Sequence, residues 1–307
     1  MEPNLRLLVL GYGSLLSGYG LMAERRGGKS RLVAIDAEPA IVGNARRGLA
    51  KPSSHGSYLA MDLEPVERTA PIVARAGRGR GGGGANEFGG LILTFERACA
   101  PMIARREEYD PAAFERLIAL ADGAGASLGD FLMRIAENTR FDLLEYRRAL
   151  RALVGYTSPG YVFHPVPISD GRVAITAIGS GYEGSGDEAV VSRRREFGID
   201  RMHSLGAALA IASVEIDRAG QIGYYAECLM GGMHGLSVGD LMEEFDADSD
   251  WARELGEYLR VAAAGEAERF AAATALGARE YEERFGAAGI DPALAPILSL
   301  LTRARVG

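Results

Sequence analysis

The chain has 307 residues, 48% hydrophobic and 24% charged, enough apolar matter for one large domain or two ordinary ones. A formal net charge of −7 and a pI near 5.3 argue against a nucleic-acid binder, which needs a basic surface. No stretch nears 18 uninterrupted apolar residues and no basic patch precedes a long apolar run, so the expectation is a cytoplasmic protein without a membrane partner.

Residues 5–10 read as a buried strand, and the run LLVLGYGSLL over residues 7–16 carries it straight into a Gly-Tyr-Gly-Ser turn. Gly11 and Gly13 let the backbone turn sharply, and successive exposed N–H groups in such a turn form a concave anion site. Residues 32–42 and 58–63 read as two more strands, the second alternating apolar and polar. Between them ARRGLAKPSSHGS is predicted as a polar turn region containing Arg46, Arg47 and His55. Residues 77–90, GRGRGGGGANEFGG, are of low complexity and read as a surface loop, and residues 88–95 resume a strand.

From Glu96 the period becomes helical, with Pro101 as an interruption. Residues 111–120, 127–136 and 141–154 are predicted as three further short helices. Residues 160–168 and 172–178 read as strands flanking an Asp170–Gly171 turn, a hairpin. Composition breaks near residue 185, in GSGYEGSGDE, and the remainder is mostly helical. There, residues 202–216 are a helix candidate, or a strand after Ala210, and residues 250–285 form one helix or two. Residues 291–305 read as a final helix with Pro292 in its first turn.

Several chemistries fail on spacing. A dinucleotide fingerprint needs G-x-G-x-x-G, and here Gly11 and Gly13 are followed by Gly18. No Gly-Lys-Ser/Thr follows the loop, and no G-x-S-x-G elbow occurs. His55, His164, His203 and His234 lack HxxxH or HExxH spacing, and the two cysteines, Cys99 and Cys228, lie far apart, so no metal is expected. Ser192–Arg195 in SRRRE reads most simply as a solvated helix face.

Order along the chain carries more. A strand and Tyr12-Gly13-Ser14-Leu15 come first, then GNARR at residues 43–47 and the GGLILTF strand. Next come the helical run ending in IARREEY at residues 103–109 and, beyond residues 111–159, the strand pair at residues 160–178. This order resembles the γ-glutamylcyclotransferase-like superfamily, which includes the ChaC and AIG2-like proteins. The resemblance covers roughly residues 5–110 and 160–185, and residues 111–159 form a helical insertion without a counterpart in it. Many members carry an aromatic on the last strand where this chain has Ala177; Tyr182 lies in the loop beyond.

The resemblance implies an α/β fold: a small mixed β-barrel over residues 1–185, with surrounding helices and a helical C-terminal extension, residues 186–307, packed on it. It implies an enzyme that releases 5-oxoproline from a γ-glutamyl amide without a cofactor. Tyr12, Gly13, Ser14 and Leu15 would form the binding loop, and Arg46 and Tyr109 would be secondary contacts. Glu107 would be the general acid/base; Glu108 stands where the family has glycine, which keeps it as the alternative. The partner expected is a small γ-glutamyl substrate, with a second copy of the chain a candidate to cover the apolar residues 202–216. Two other readings stay open: other amide chemistry on a bulkier biosynthetic intermediate, and a binding protein without turnover.

Overall fold

The computed structural model describes residues 6–13, 35–52, 59–77, 87–107, 109–155 and 161–179. In order these form β1 (Arg6–Gly11), β2 (Asp36–Gly43), β3 (Ala45–Pro52), β4 (Leu59–Pro65), β5 (Val73–Ala76), β6 (Glu87–Glu96) and a 3-10 turn (Arg97–Cys99). There follow α1 (Ala100–Arg106), α2 (Pro111–Gly123), α3 (Leu128–Asn138), α4 (Leu143–Val154), β7 (Tyr161–Pro167) and β8 (Val173–Gly179). Six strands make one sheet in the order β5-β2-β6-β1-β8-β7, and β3 pairs with β4 as a separate ribbon. The first and last of these strands are neighbours: β1 is antiparallel to β6 and parallel to β8, with Val9 beside Ile175.

The mixed sheet curls into a half-barrel. Its edges touch at one bridge, between Ala74 and Ile168, where the Ser169 N–H donates to the Ala74 carbonyl at 3.0 Å. A second tie lies close by. Arg172, in the β7–β8 turn, donates to both Glu38 oxygens at 2.7 Å and to Asp170 at 2.8 Å. The expected barrel is thus a curled sheet with no closing ladder among the described residues, and the expected C-terminal extension lies outside them.

The helices start where the sequence supplies caps. Asp110 accepts from the N–H groups of Ala112 and Ala113 ahead of Pro111, Ser127 from Asp130, and Asp142 from Glu145. In α2 the buried positions Ala113, Phe114, Leu117, Ile118 and Ala121 form one helical stripe. Phe114 meets Phe163 of β7 at 4.5 Å between ring centroids, and the Tyr146 hydroxyl of α4 donates to the Phe163 carbonyl at 2.7 Å. The three helices over residues 111–155 therefore share one core with the sheet.

Three expectations change. Residues 45–52 are a strand, not a polar turn, because Leu49 and the hydrocarbon side of the ribbon are buried. The strand expected over residues 88–95 is β6, which takes in one more residue at each end, Glu87 from the low-complexity run and Glu96, and is a central strand covered on both faces. Pro101 sits in the first turn of α1, where its missing N–H costs nothing, so it starts the helix instead of interrupting it. The short strand β5 was not expected at all.

Gly129 sets how closely α3 approaches the sheet. A Cβ there would lie 2.2 Å from the Val173 carbonyl oxygen, a backbone atom that cannot step aside, whereas Gly123 faces open space. Gly129→Ala is expected to cost about 1–3 kcal/mol in urea unfolding, and Gly123→Ala to be neutral or slightly stabilising.

His164 is buried against Tyr146, its Nδ1–H donating to the Pro165 carbonyl at 2.9 Å. Burial lowers its pKa from 6.5 to about 4. The unfolded chain takes a proton below pH 6.5 that the folded chain refuses until about pH 4, so stability falls as pH drops through that window. Glu38, held below its ordinary range chiefly by the Arg172 hydrogen bond, adds a loss at lower pH for the same reason. Urea midpoints at pH 7, 5.5 and 4.5 should decline, with a slope of up to about 1.4 kcal/mol per pH unit from His164. His164→Phe should flatten the part between pH 6.5 and 4.

Candidate functional site

Because β1 and β8 are parallel, their carboxyl ends open on the same edge of the sheet, the place where ligands gather beside parallel strands. Tyr12 follows β1 there, and its hydroxyl donates to the Ala177 carbonyl of β8 at 2.6 Å. The Thr176 hydroxyl returns a bond to the Leu10 carbonyl at 3.0 Å. Gly13 lies over β4: a Cβ there would come within 3.1 Å of the Met61 Cβ.

The β3–β4 ribbon reaches both strand exits. Arg47 of β3, buried, donates from Nη1 to the Tyr12 carbonyl at 3.1 Å and to the Gly89 carbonyl at 3.0 Å. Asp62 of β4, also buried, accepts from the Gly179 N–H at 2.6 Å and from the Leu63 N–H at 2.8 Å. The ribbon turns toward this edge at Asn44, whose φ of 55° is one that Asn tolerates better than most residues. The Asn44 amide donates to the carbonyls of Glu67, Ala70 and Pro71, fixing the following loop.

The second motif arrives from the opposite direction. β6 ends at Glu96, paired with Arg6 at the start of β1, and the seven-residue α1 then leads into Glu107. The Tyr109 N–H donates back to the Ala104 carbonyl at 2.8 Å and closes the turn. Tyr109 is buried, with its ring 5.2 Å from that of Phe163 and 6.1 Å from that of Phe114. Phe163 pairs with Ala177, the residue that accepts from Tyr12. Segments around residues 12, 109 and 177 therefore converge on one pair of strands. The Glu107 side chain is 14% exposed, with Oε1 3.7 Å from Arg106 Nε.

The arginines of GNARR separate. Arg46 is on the exposed face of the ribbon, paired with Glu64 at 2.7 Å from Nε, and its side chain is 59% exposed. Arg47 faces the opposite way, toward the loop. Reading the segment as a turn hid this; reading it as a strand, in which neighbours face opposite sides, would have set the two apart. Asp62, in an alternating strand segment, carried no signal of its own. Ser14, Leu15, His55, Glu108, Tyr182 and His234 lie outside the described residues, as do residues 192–195.

A cleft of about 550 Å³ opens at the other end of β1, lined among others by Arg6, Asp36, Glu38, Asp130 and Arg172. Of the two arginines in its lining, Arg172 is held by Glu38 and Asp170. Among the described residues no group of three or more His, Cys, Asp or Glu side chains could hold a metal, and no helix is long and apolar enough to cross a membrane. Comparisons with family models, with curated proteins and with solved structures give no match.

Gly179 is where Asp62 grips β8. A Cβ at Gly179 would lie 2.0 Å from Asp62 Oδ2 and would expel the carboxylate from its bond to the Gly179 N–H. Gly179→Ala is expected to lower stability by about 2 kcal/mol or more in urea unfolding, the joint cost of overpacking and of a stranded buried acceptor.

Proposed function

We propose that the chain is a γ-glutamylcyclotransferase-type enzyme, acting in the cytoplasm on a small γ-glutamyl amide and releasing 5-oxoproline. One observation carries the reading. Tyr12, from the Tyr-Gly-Ser-Leu motif, and Tyr109, from the Arg-Arg-Glu-Glu-Tyr motif, meet opposite members of a single strand pair, Ala177 and Phe163. Two motifs far apart in sequence thus touch neighbouring residues, with Glu107 two residues from the second contact.

The chemistry suits these groups. A γ-glutamyl amide carries its own nucleophile, the α-amine, which is mostly an inert ammonium at neutral pH. The Glu107 carboxylate takes its proton, and the freed nitrogen attacks the γ-carbonyl carbon to form the five-membered ring. As the tetrahedral centre collapses, the old C–N bond breaks and the proton passes from Glu107 to the departing amine, while the ring nitrogen gives up its second proton, which the freed amine takes. The products are 5-oxoproline and the amine as its ammonium. N–H groups of the loop that starts at Tyr12 hold the substrate carboxylate, and closure within one molecule makes positioning the main requirement.

The test is Glu107→Gln against a panel of γ-glutamyl amides, with products read by mass spectrometry. Wild type should form 5-oxoproline, and the variant should lose about a hundredfold or more in kcat, the usual worth of a general acid/base. Glutamate as the product would point to hydrolysis on the same scaffold. Absence of turnover across the panel, or an equally active variant, would overturn the proposal.

A further inference from the structure

Arg47 carries a charge that the fold has withdrawn from water, being 6% exposed. A buried guanidinium is costly unless carbonyls and rings replace its hydration. Its Nη1 bridges the carbonyls of Tyr12 and Gly89, and its central carbon lies 4.8 Å from the centroid of the Phe88 ring. This is a planar arrangement that a lysine ammonium cannot reproduce.

One of the two carbonyls is the informative one. The β1–β6 ladder ends at Gly11 opposite Leu91, so Tyr12 is the first residue beyond it. The Tyr12–Gly13 peptide is therefore held by a side chain, Arg47, at the point where the ladder stops. In a trans peptide the C=O and the following N–H point in opposite directions. With the Tyr12 carbonyl fixed toward Arg47, the Gly13 N–H is fixed away from it.

We infer that Arg47 is the positioning residue of the anion-binding loop: by clamping the Tyr12 carbonyl it aims the Gly13 N–H at the substrate carboxylate. The inference rests on the function proposed above and extends it to a residue that does not itself touch substrate. It also accounts for a buried cation in the wall of a site meant for an anion. The charge acts through one peptide unit, while the substrate meets only the neutral N–H.

The experiment uses Arg47→Lys in the full chain, with two independent readouts. In kinetics on the best γ-glutamyl amide, KM should rise about tenfold while kcat changes less than about threefold, the pattern of a lost ground-state contact. In backbone NMR without substrate, the Gly13 amide order parameter should fall from about 0.85 to below about 0.6, with Val9 and Ile175 unchanged. A role confined to packing would instead loosen β1, β3 and β6 together and leave KM alone. An unchanged Gly13, or a change spread evenly over the sheet, overturns the inference.

The NMR readout separates this outcome from a failure of the enzymatic reading, since it needs no turnover. Should Arg47→Lys not fold, Phe88→Leu removes the ring beneath the guanidinium and leaves the arginine in place. It should produce a smaller loss of order centred on Tyr12 and Gly13, and a normal Gly13 there overturns the inference as well.

Discussion

The parallel pairing of β1 with β8 is the constraint on which the site depends. It joins strands at opposite ends of the described chain, Val9 beside Ile175, and is fastened by Tyr12 to Ala177 and Thr176 to Leu10. Contacts this remote in sequence carry a large loop-closure cost and form late unless something else holds the ends together. Here the intervening helices supply the hold. Phe114 packs on the Phe163 ring, Tyr146 holds the Phe163 carbonyl, and Phe163 pairs with Ala177, whose carbonyl accepts from Tyr12. Without that chain of contacts the glycine turn after β1 would be an ordinary surface turn.

Much of this was legible where local chemistry agreed with the fold. β1, β6, the β7–β8 hairpin and helices α2 to α4 follow from periodicity and turn residues, and the structure adds the caps at Asp110, Ser127 and Asp142. The failures have a common cause. β3 reads ARRGLAKP, in which Gly and Pro are turn formers and Lys and Ala poor strand formers by local preference; burial of Leu49 and Arg47 beneath the neighbouring sheet overrides that preference. β5, four residues at the sheet edge with one buried side chain, is too short to leave a periodic trace. In the site the same misreading mattered most. It put Arg46 forward as a substrate contact and gave Arg47 no role, whereas the structure sends Arg46 to Glu64 at the surface and Arg47 to Tyr12 in the interior.

The ribbon shows how buried charge can specify geometry where apolar packing cannot. Leu49, Leu59, Met61 and Leu63 would pack on β6 and β8 with some freedom to slide. Arg47 and Asp62 remove that freedom by gripping backbone groups of the sheet, the Tyr12 and Gly89 carbonyls and the Gly179 N–H. Misregistering the ribbon by one residue would take Arg47 off the Tyr12 carbonyl and Asp62 off the Gly179 N–H and leave those backbone groups stranded. The two grips lie at the exits of the two parallel strands, so the register of the ribbon and the shape of the candidate site are one constraint.

The helical insertion bears on which substrate is accommodated. Its length is the main reason to consider a bulkier amide than the resemblance alone implies. Yet its apolar faces are occupied in describable ways. Phe114 sits on Phe163, Tyr146 on His164 and the Phe163 carbonyl, and α3 lies so close to β8 that Gly129 has room for no side chain. Phe163 and Ala177 are directly paired and share one face, so Phe114 packs beside Tyr109 on the same ring. An element whose apolar side chains are spent on the core is a weak argument for a larger cavity. Under the proposed function, then, the length of the insertion is no argument for a bulkier amide, and any room for a bulky amine must come from residues nearer the glycine exits.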